Sequence, residues 1–218
     1  MPQTGQGMII RHMASKEIAN INSSVFFKIE QYLLEEEKPS SMLDPYSQMP
    51  EFMESVFSYM NQMRETKQSK QHHPEGNVWI HTMMVVDEAA KIKKQSKNAR
   101  VLMWSAFLHD IGKPEATRIK KGKITAYNHD QIGAHKAKEI LLHTGANEVF
   151  IEQVCAMVRW HMQILFVAKN KSFADLQTMK KEVDVNEVAL LGMCDRLGRG
   201  NVNREEVIAD INKFKKAL

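Results

Sequence analysis

The segment ARVLMWSAFLHD, residues 99–110, constrains the fold more than any other stretch of the chain. Read as a helix it is apolar on nearly every face, and such a helix needs other helices around it. Asn98 is placed to cap its first turn, while Gly112 and Pro114 close it. A central buried helix ending in His109-Asp110 is therefore the expected hub of the molecule.

Helical periodicity recurs on both sides of the hub. Residues 15 to about 37 place Ile18, Ile21, Val25, Ile29, Tyr32 and Leu33 on one face. KPSSMLDPYSQMP reads as turn chemistry, and a second helix over roughly 51–68 carries Phe52, Val56, Tyr59, Met60 and Met63. These two helices form an expected N-terminal helical extension, residues 1–70, ahead of a main domain over 71–218. QSKQHHPEGN reads as a loop, and Asn77 can cap a helix from Val78 to about Gln95. Further helices are predicted at about 130–143, 147–162, 184–197 and 202–217. Basic and β-branched residues flank Lys121-Gly122 and predict a small β-hairpin near 117–128. The fold class is all-α, a helical bundle with that hairpin.

Composition narrows the function. With 43% hydrophobic residues in 218, the chain can build a real core. No stretch approaches the roughly 18–20 apolar residues of a membrane span, so no membrane partner is expected. The opening MPQTGQGMIIRHMASKE lacks a signal-peptide pattern. Met8 or Met13 would serve equally as a start, so this stretch, with His12, is left out of site reasoning. Cys155 and Cys194 are far apart without C-x-x-C spacing, which argues against a disulfide or thiolate zinc site and for a cytoplasmic protein. A formal charge of +4 implies mild affinity for anions and falls short of a stable nucleic-acid binder. The oligomeric state stays open.

Polar groups on apolar faces point to the site. Asp195 continues the stripe Val188, Leu191, Gly192 at helical spacing. A carboxylate there is costly unless paired or bound to metal. Arg196 and Arg199 are the nearby ion-pair candidates, but they are expected to leave the helix in other directions. His161 ends the stripe Phe150, Val154, Met157, Val158, and His81 shares a face with Val78, Met84 and Val85. For either histidine alone, a hydrogen-bonded core residue is the commoner explanation. His109 and Asp110 can converge on one ion only because the helix ends there. His129 precedes a helix whose inner face is Gly133, Ala137, Ile140 and Leu141. His72, His73, His135 and His143 fall in a loop, on a solvated face or in a last helical turn, and are assigned to no site. Four imidazoles and two carboxylates suit Mn, Fe, Ni, Co or Zn, with Mg allowed. Six ligands exceed what one catalytic ion takes from protein, which implies two metals with Asp110 bridging them.

The pattern H…HD…H…H…D, read as His81, His109-Asp110, His129, His161 and Asp195, resembles the HD superfamily of metal-dependent phosphohydrolases over roughly residues 72–200. PEGNVWIHT, FLHDIGKP, NHDQIGA, VRWHM and DRLGRG are similar, in that order, to the HD region of bacterial tRNA nucleotidyltransferases. The resemblance implies a bundle of about five core helices with the metals between them. It maps a four-ligand core onto His81, His109, Asp110 and Asp195, and matches His129 and His161 to the added histidines of dinuclear members. Some members keep all these residues with one ion, so one or two divalent ions are implied. Nothing upstream resembles the nucleotidyltransferase head, so only the hydrolytic module is expected.

The expected activity is hydrolysis of a phosphomonoester or phosphodiester by a metal-activated hydroxide at Asp110. The substrate would be small and phosphorylated, a nucleotide or an RNA end, and the resemblance favours 2′,3′-cyclic nucleotides or 2′-nucleotides. Lys113, Arg196 and Arg199 are candidates for gripping phosphate, each with a purely structural alternative. Lys120, Lys121 and Lys123 read as a solvated hairpin and Trp160 as a core indole. Two other classes remain: a non-catalytic nucleotide-binding regulatory module, and a di-iron oxygenase.

Overall fold

The structure is a computed structural model describing residues 4–200 and 202–218, with side chains described from residue 15. His12 and the alternative start at Met8 therefore lie outside the described side chains. The chain forms an all-α bundle with one two-stranded hairpin. It opens with α1 (Thr4–Glu35), followed by the short helices α2 (Ser40–Tyr46), α3 (Pro50–Glu54) and α4 (Gln62–Glu65). The bundle proper comprises α5 (Val78–Ile92), α6 (Ala99–Leu108), α7 (Lys113–Ala116), α8 (His129–Leu142) and α9 (Glu148–Trp160). It continues with α10 (Gln163–Ala168), α11 (Leu176–Glu182), α12 (Val185–Leu197) and α13 (Arg204–Lys216). Strands β1 (Arg118–Lys120) and β2 (Lys123–Thr125) pair antiparallel, with Lys120 opposite Lys123. Lys121 and Gly122 between them have φ of 49° and 74°, the left-handed pair that a two-residue hairpin turn requires.

The central helix sits where its apolarity demands. α6 packs against α1, α5, α9 and α12, and every residue from Val101 to Leu108 is buried. Asn98 accepts from the Val101 amide at 3.2 Å and Asn77 from the Ile80 amide at 2.9 Å, so both expected caps form.

The α1 helix shares this core. Phe26 stacks on Trp104 of α6 with ring centroids 4.6 Å apart, and the Trp104 indole donates to Glu30 at 3.0 Å. Glu30 also pairs with Arg100. Glu30→Ala would leave a buried indole N–H without its acceptor, a loss worth about 1–3 kcal/mol. The expected result is a clear fall in Tm, and an unchanged Tm would show that the indole finds another acceptor.

The N-terminal segments differ from expectation in two places. KPSSMLDPYSQMP is not all turn: Ser40–Tyr46 is helical because Asp87 of α5 accepts from the Ser40 amide at 2.9 Å and hydroxyl at 2.7 Å. That cap comes from a residue distant in sequence, which local pattern cannot show. The helix expected over 51–68 is broken at Ser55, whose extended backbone (φ −87°, ψ 170°) starts a 3₁₀ segment, Val56–Asn61. The break rotates Phe57 into the core and leaves Val56 and Tyr59 half-buried. Helices α10 and α11 lie where no helix was predicted. The Asp175 side chain accepts from the Thr178 amide at 3.0 Å and caps α11.

Candidate metal centre

Five helices aim side chains at one buried point. His81 lies in the first turn of α5, and His109 and Asp110 follow the last residue of α6. His129 opens α8, His161 follows the end of α9, and Asp195 lies in the last turn of α12. All six are buried. The structure thus brings together every residue assigned to the metal cluster from sequence.

Gly112 permits one of these approaches. A Cβ at this position would lie 2.2 Å from the His129 carbonyl oxygen and 2.5 Å from the Gly133 nitrogen. The chain leaving α6 therefore runs against the start of α8, which carries His129 up to Asp110.

The imidazoles share one orientation. His109, His129 and His161 place Nδ1 at 2.8, 2.7 and 2.7 Å from the carbonyls of Ala106, Ala126 and Val158. A carbonyl only accepts, so each Nδ1 carries the proton and each Nε2 presents a lone pair. His81 directs Nδ1 to Glu75 Oε1 at 2.9 Å and to the Gly198 carbonyl at 3.3 Å. Among the described residues, Nε2 of His129 and of His161 has no hydrogen-bond partner although both atoms are buried. Buried, inward-facing lone pairs without a donor are costly, and a bound cation would satisfy them.

The spacings fit such ions. A metal bound at about 2.0–2.2 Å leaves its ligand atoms roughly 2.8–3.6 Å apart at octahedral to tetrahedral angles. Asp110 Oδ2 lies 3.2 Å from His109 Nε2 and 3.6 Å from His81 Nε2. His81 Nε2 is in turn 3.1 Å from Asp195 Oδ1 and 3.3 Å from His109 Nε2. On the other side, Asp110 Oδ1 lies 3.4 Å from His129 Nε2 and 3.8 Å from His161 Nε2. The two oxygens of one carboxylate face two separate groups of donors.

The electrostatics agree. Burial would raise Asp110, but its contacts with His109 and the Lys113 ammonium hold it well below the ordinary carboxylate range. Asp195 is likewise held low against burial, by Arg199 and His81. Burial disfavours charge on His81, yet Asp195 and Glu75 raise its pKa, so that nitrogen favours a nearby cation. Burial, helped by His129 and His109, pushes His161 down to about 4, which leaves a neutral ligand at pH 7.

The HD-domain profile matches residues 78–200, more than half of the chain and all six of these side chains. The chain belongs to the HD-domain family. Curated relatives are each named multifunctional CCA protein. The one from Actinobacillus pleuropneumoniae serotype 5b is 31% identical over 85 residues, covering 39% of this chain and 20% of the relative. The one from Halorhodospira halophila is 32% identical over 95 residues, 44% of this chain and 21% of the relative. A third, from Hahella chejuensis, is 22% identical over 109 residues, 50% of this chain and 24% of the relative. This chain therefore spans about a fifth to a quarter of the relatives it matches.

Around the HD centre the structure places the remaining candidates. A cavity of about 970 Å³ opens onto Asp110, His129 and Asp195. Lys113 lines it, with Nζ 2.7 Å from Asp110 Oδ2 and 2.6 Å from Gln68 Oε1. Arg199 corrects one expectation: it turns back onto α12 and grips Asp195 with contacts of 3.0 and 2.9 Å. Positions 195 and 199 are four apart, the spacing that sets two side chains on one helical face, so the expectation failed on helical geometry itself. Arg196 also lines the cavity and pairs with Asp210 of α13 at 2.7 Å. Trp160 is buried and donates to Glu182 at 2.8 Å. His135 and His143 are exposed, as is His72.

Sequence reasoning missed Glu75, Gln68 and His73. Glu75 Oε1 lies 2.8 Å from His73 Nδ1 as well as 2.9 Å from His81 Nδ1. Burial opposes its charge, but the two histidines bring its pKa down to about 2. All three missed residues sit in polar loop sequence, where charged side chains are ordinarily solvated. The one available signal was the position of Glu75 just before the Asn77 cap. Among the described residues no helix is long and apolar enough to cross a membrane.

Proposed function

We propose that this chain is a metal-dependent phosphohydrolase acting on a nucleotide phosphomonoester or phosphodiester. The observation that carries the proposal is one buried carboxylate shared between two groups: the two oxygens of Asp110 each face inward-pointing imidazole nitrogens. His81, His109, Asp110 and Asp195 would hold one divalent ion, and Asp110, His129 and His161 a second. When bound, such ions supply Lewis acidity, lowering the pKa of a water nucleophile and offsetting charge on a phosphoryl oxygen.

The chain's own groups do the rest. Backbone carbonyls fix the tautomers of three imidazoles, and Arg199 fixes Asp195. Lys113, held between Asp110 and Gln68, places an ammonium on the cavity wall where a phosphate oxygen would sit. Lys67, Lys123, Lys169 and Lys171 also line the cavity and draw anions towards it. At about 970 Å³ the cavity accommodates much more than inorganic phosphate, which favours a nucleotide-sized substrate. The resemblance of its motifs to the HD region of bacterial tRNA nucleotidyltransferases favours a nucleotide or RNA-end substrate, with 2′,3′-cyclic nucleotides and 2′-nucleotides first. We assign hydrolysis to residues 71–218 and read residues 1–70 as a helical extension, whose described helices α1, α2 and α4 pack against α5 or α6.

The test combines metal analysis of the purified protein with phosphate release across nucleotides, including 2′,3′-cyclic and 2′-phosphorylated ones, in Mn, Fe, Ni, Co, Zn or Mg. Turnover with at least one redox-inert metal is expected, together with a loss of rate in Lys113→Ala. Nucleotide binding without turnover under every metal would sink the enzyme reading.

A further inference from the structure

Three of the four inward-facing histidines have a backbone carbonyl 2.7–2.8 Å from Nδ1, and the fourth has one only at 3.3 Å. His109 and His161 follow the last residues of α6 and α9, where helix carbonyls are left without an intrahelical amide. Ala106 and Val158 supply those carbonyls. His129 uses the Ala126 carbonyl in the segment before α8. His81 instead lies inside the first turn of α5, where the carbonyl three residues back belongs to the helix ladder. Its Nδ1 needs an acceptor from elsewhere.

We propose that Glu75 is that acceptor and acts as a positioning residue for the metal centre. Its carboxylate keeps the proton on Nδ1 of His81, so that Nε2 faces Asp110 and Asp195. The inference rests on His81 being a metal ligand. Glu75 Oε1 lies 2.9 Å from Nδ1, within ion-pair distance and nearer than the Gly198 carbonyl, which faces the same nitrogen at 3.3 Å. A carboxylate in this place also raises the basicity of the ligand, which a neutral carbonyl does less strongly. Glu75 ties this ligand to the substrate cavity as well. The same oxygen accepts from His73 at 2.8 Å, and His73 lines the cavity beside Lys113 and Asp110. The His73 and His81 rings meet edge to face, 4.8 Å between centroids, so Glu75 braces both from one side.

The test compares wild type with Glu75→Gln and Glu75→Ala, each stripped of metal and then titrated with Mn(II) and Zn(II) against a chromophoric chelator. Glu75→Ala is expected to weaken one site by about 10–100-fold. Glu75→Gln should lose less, because its amide oxygen still accepts a hydrogen bond but carries no charge. Ring-nitrogen NMR shifts of His81 in the zinc form should report ligation through Nε2 with Nδ1 protonated in wild type, and a tautomer mixture in Glu75→Ala. Wild-type affinity in either variant, or ligation through Nδ1, overturns the proposal. If Glu75→Ala does not fold, the near-isosteric Glu75→Gln carries the comparison. A wild-type protein that takes up neither ion overturns the proposed function too, whereas normal uptake with indifferent variants overturns this inference alone.

Discussion

Asp110→Ala is expected to strip the protein of metal and abolish phosphate release, while His135→Ala changes neither. The carboxylate is the one group shared by both sets of donors, with Oδ2 3.2 Å from His109 and Oδ1 3.4 Å from His129. Its removal therefore affects both sites, whereas loss of a single histidine affects one. Hydrogen-bonding partners of metal ligands typically cost about 10–100-fold when removed, so loss of the shared ligand should exceed about 100-fold in rate. Lys113 would also lose the anion 2.7 Å from its buried ammonium, and breaking a buried pair from one side costs about 3–5 kcal/mol. Asp110→Asn preserves shape and separates the two effects: metal should still be lost, with a smaller drop in Tm. Metal content by elemental analysis and rate by phosphate release are the measurements. Equal losses in the exposed His135 variant would mean that the inward faces of α8 have been misassigned.

Gly112→Ala is the second large effect, and it comes from steric overlap alone. The backbone there (φ −81°, ψ −12°) suits alanine, so conformational preference would not oppose the change. All three atoms that a Cβ would meet within 3 Å are backbone, the His129 oxygen and the nitrogen and Cα of Gly133. Backbone cannot rotate aside, so α8 must move. Overpacking of this kind costs about 1–3 kcal/mol and at times more. The shift should also draw His129 away from Asp110, weakening the His129–His161 site ahead of the site built by His81, His109 and Asp195. Thermal denaturation and metal titration together test this. A variant with wild-type Tm and full metal uptake would show that α8 slides without consequence.

Much of the centre was legible because its residues violate helical pattern. Asp195 on an apolar stripe and His161 at the end of another are expensive placements, and their cost is visible without coordinates. The same logic found the central helix and its Asn98 cap, since both are properties of adjacent residues. It failed where the partner lay far along the chain. Asp87 caps α2 from α5, and Ser55 redirects a run of apolar residues that reads as one continuous helix. Glu75 and Gln68 were passed over because an acidic or amide side chain in a polar loop is normally solvated, and only the approach of Lys113 and two histidines buries them. Arg199 was expected to point away from Asp195, yet its i,i+4 spacing sets it beside that carboxylate.

The order of residues was enough to establish which side chains cannot be left facing an oily interior unattended, because periodicity is local and burial of charge is costly wherever it occurs. It could not say that Asp110 offers one oxygen to each of two clusters, that a carboxylate approaches Nδ1 of His81 where its three counterparts meet carbonyls, or that Gly112 must be bare for α8 to approach. Those are relations between atoms on separate helices, and they come into being when the helices pack.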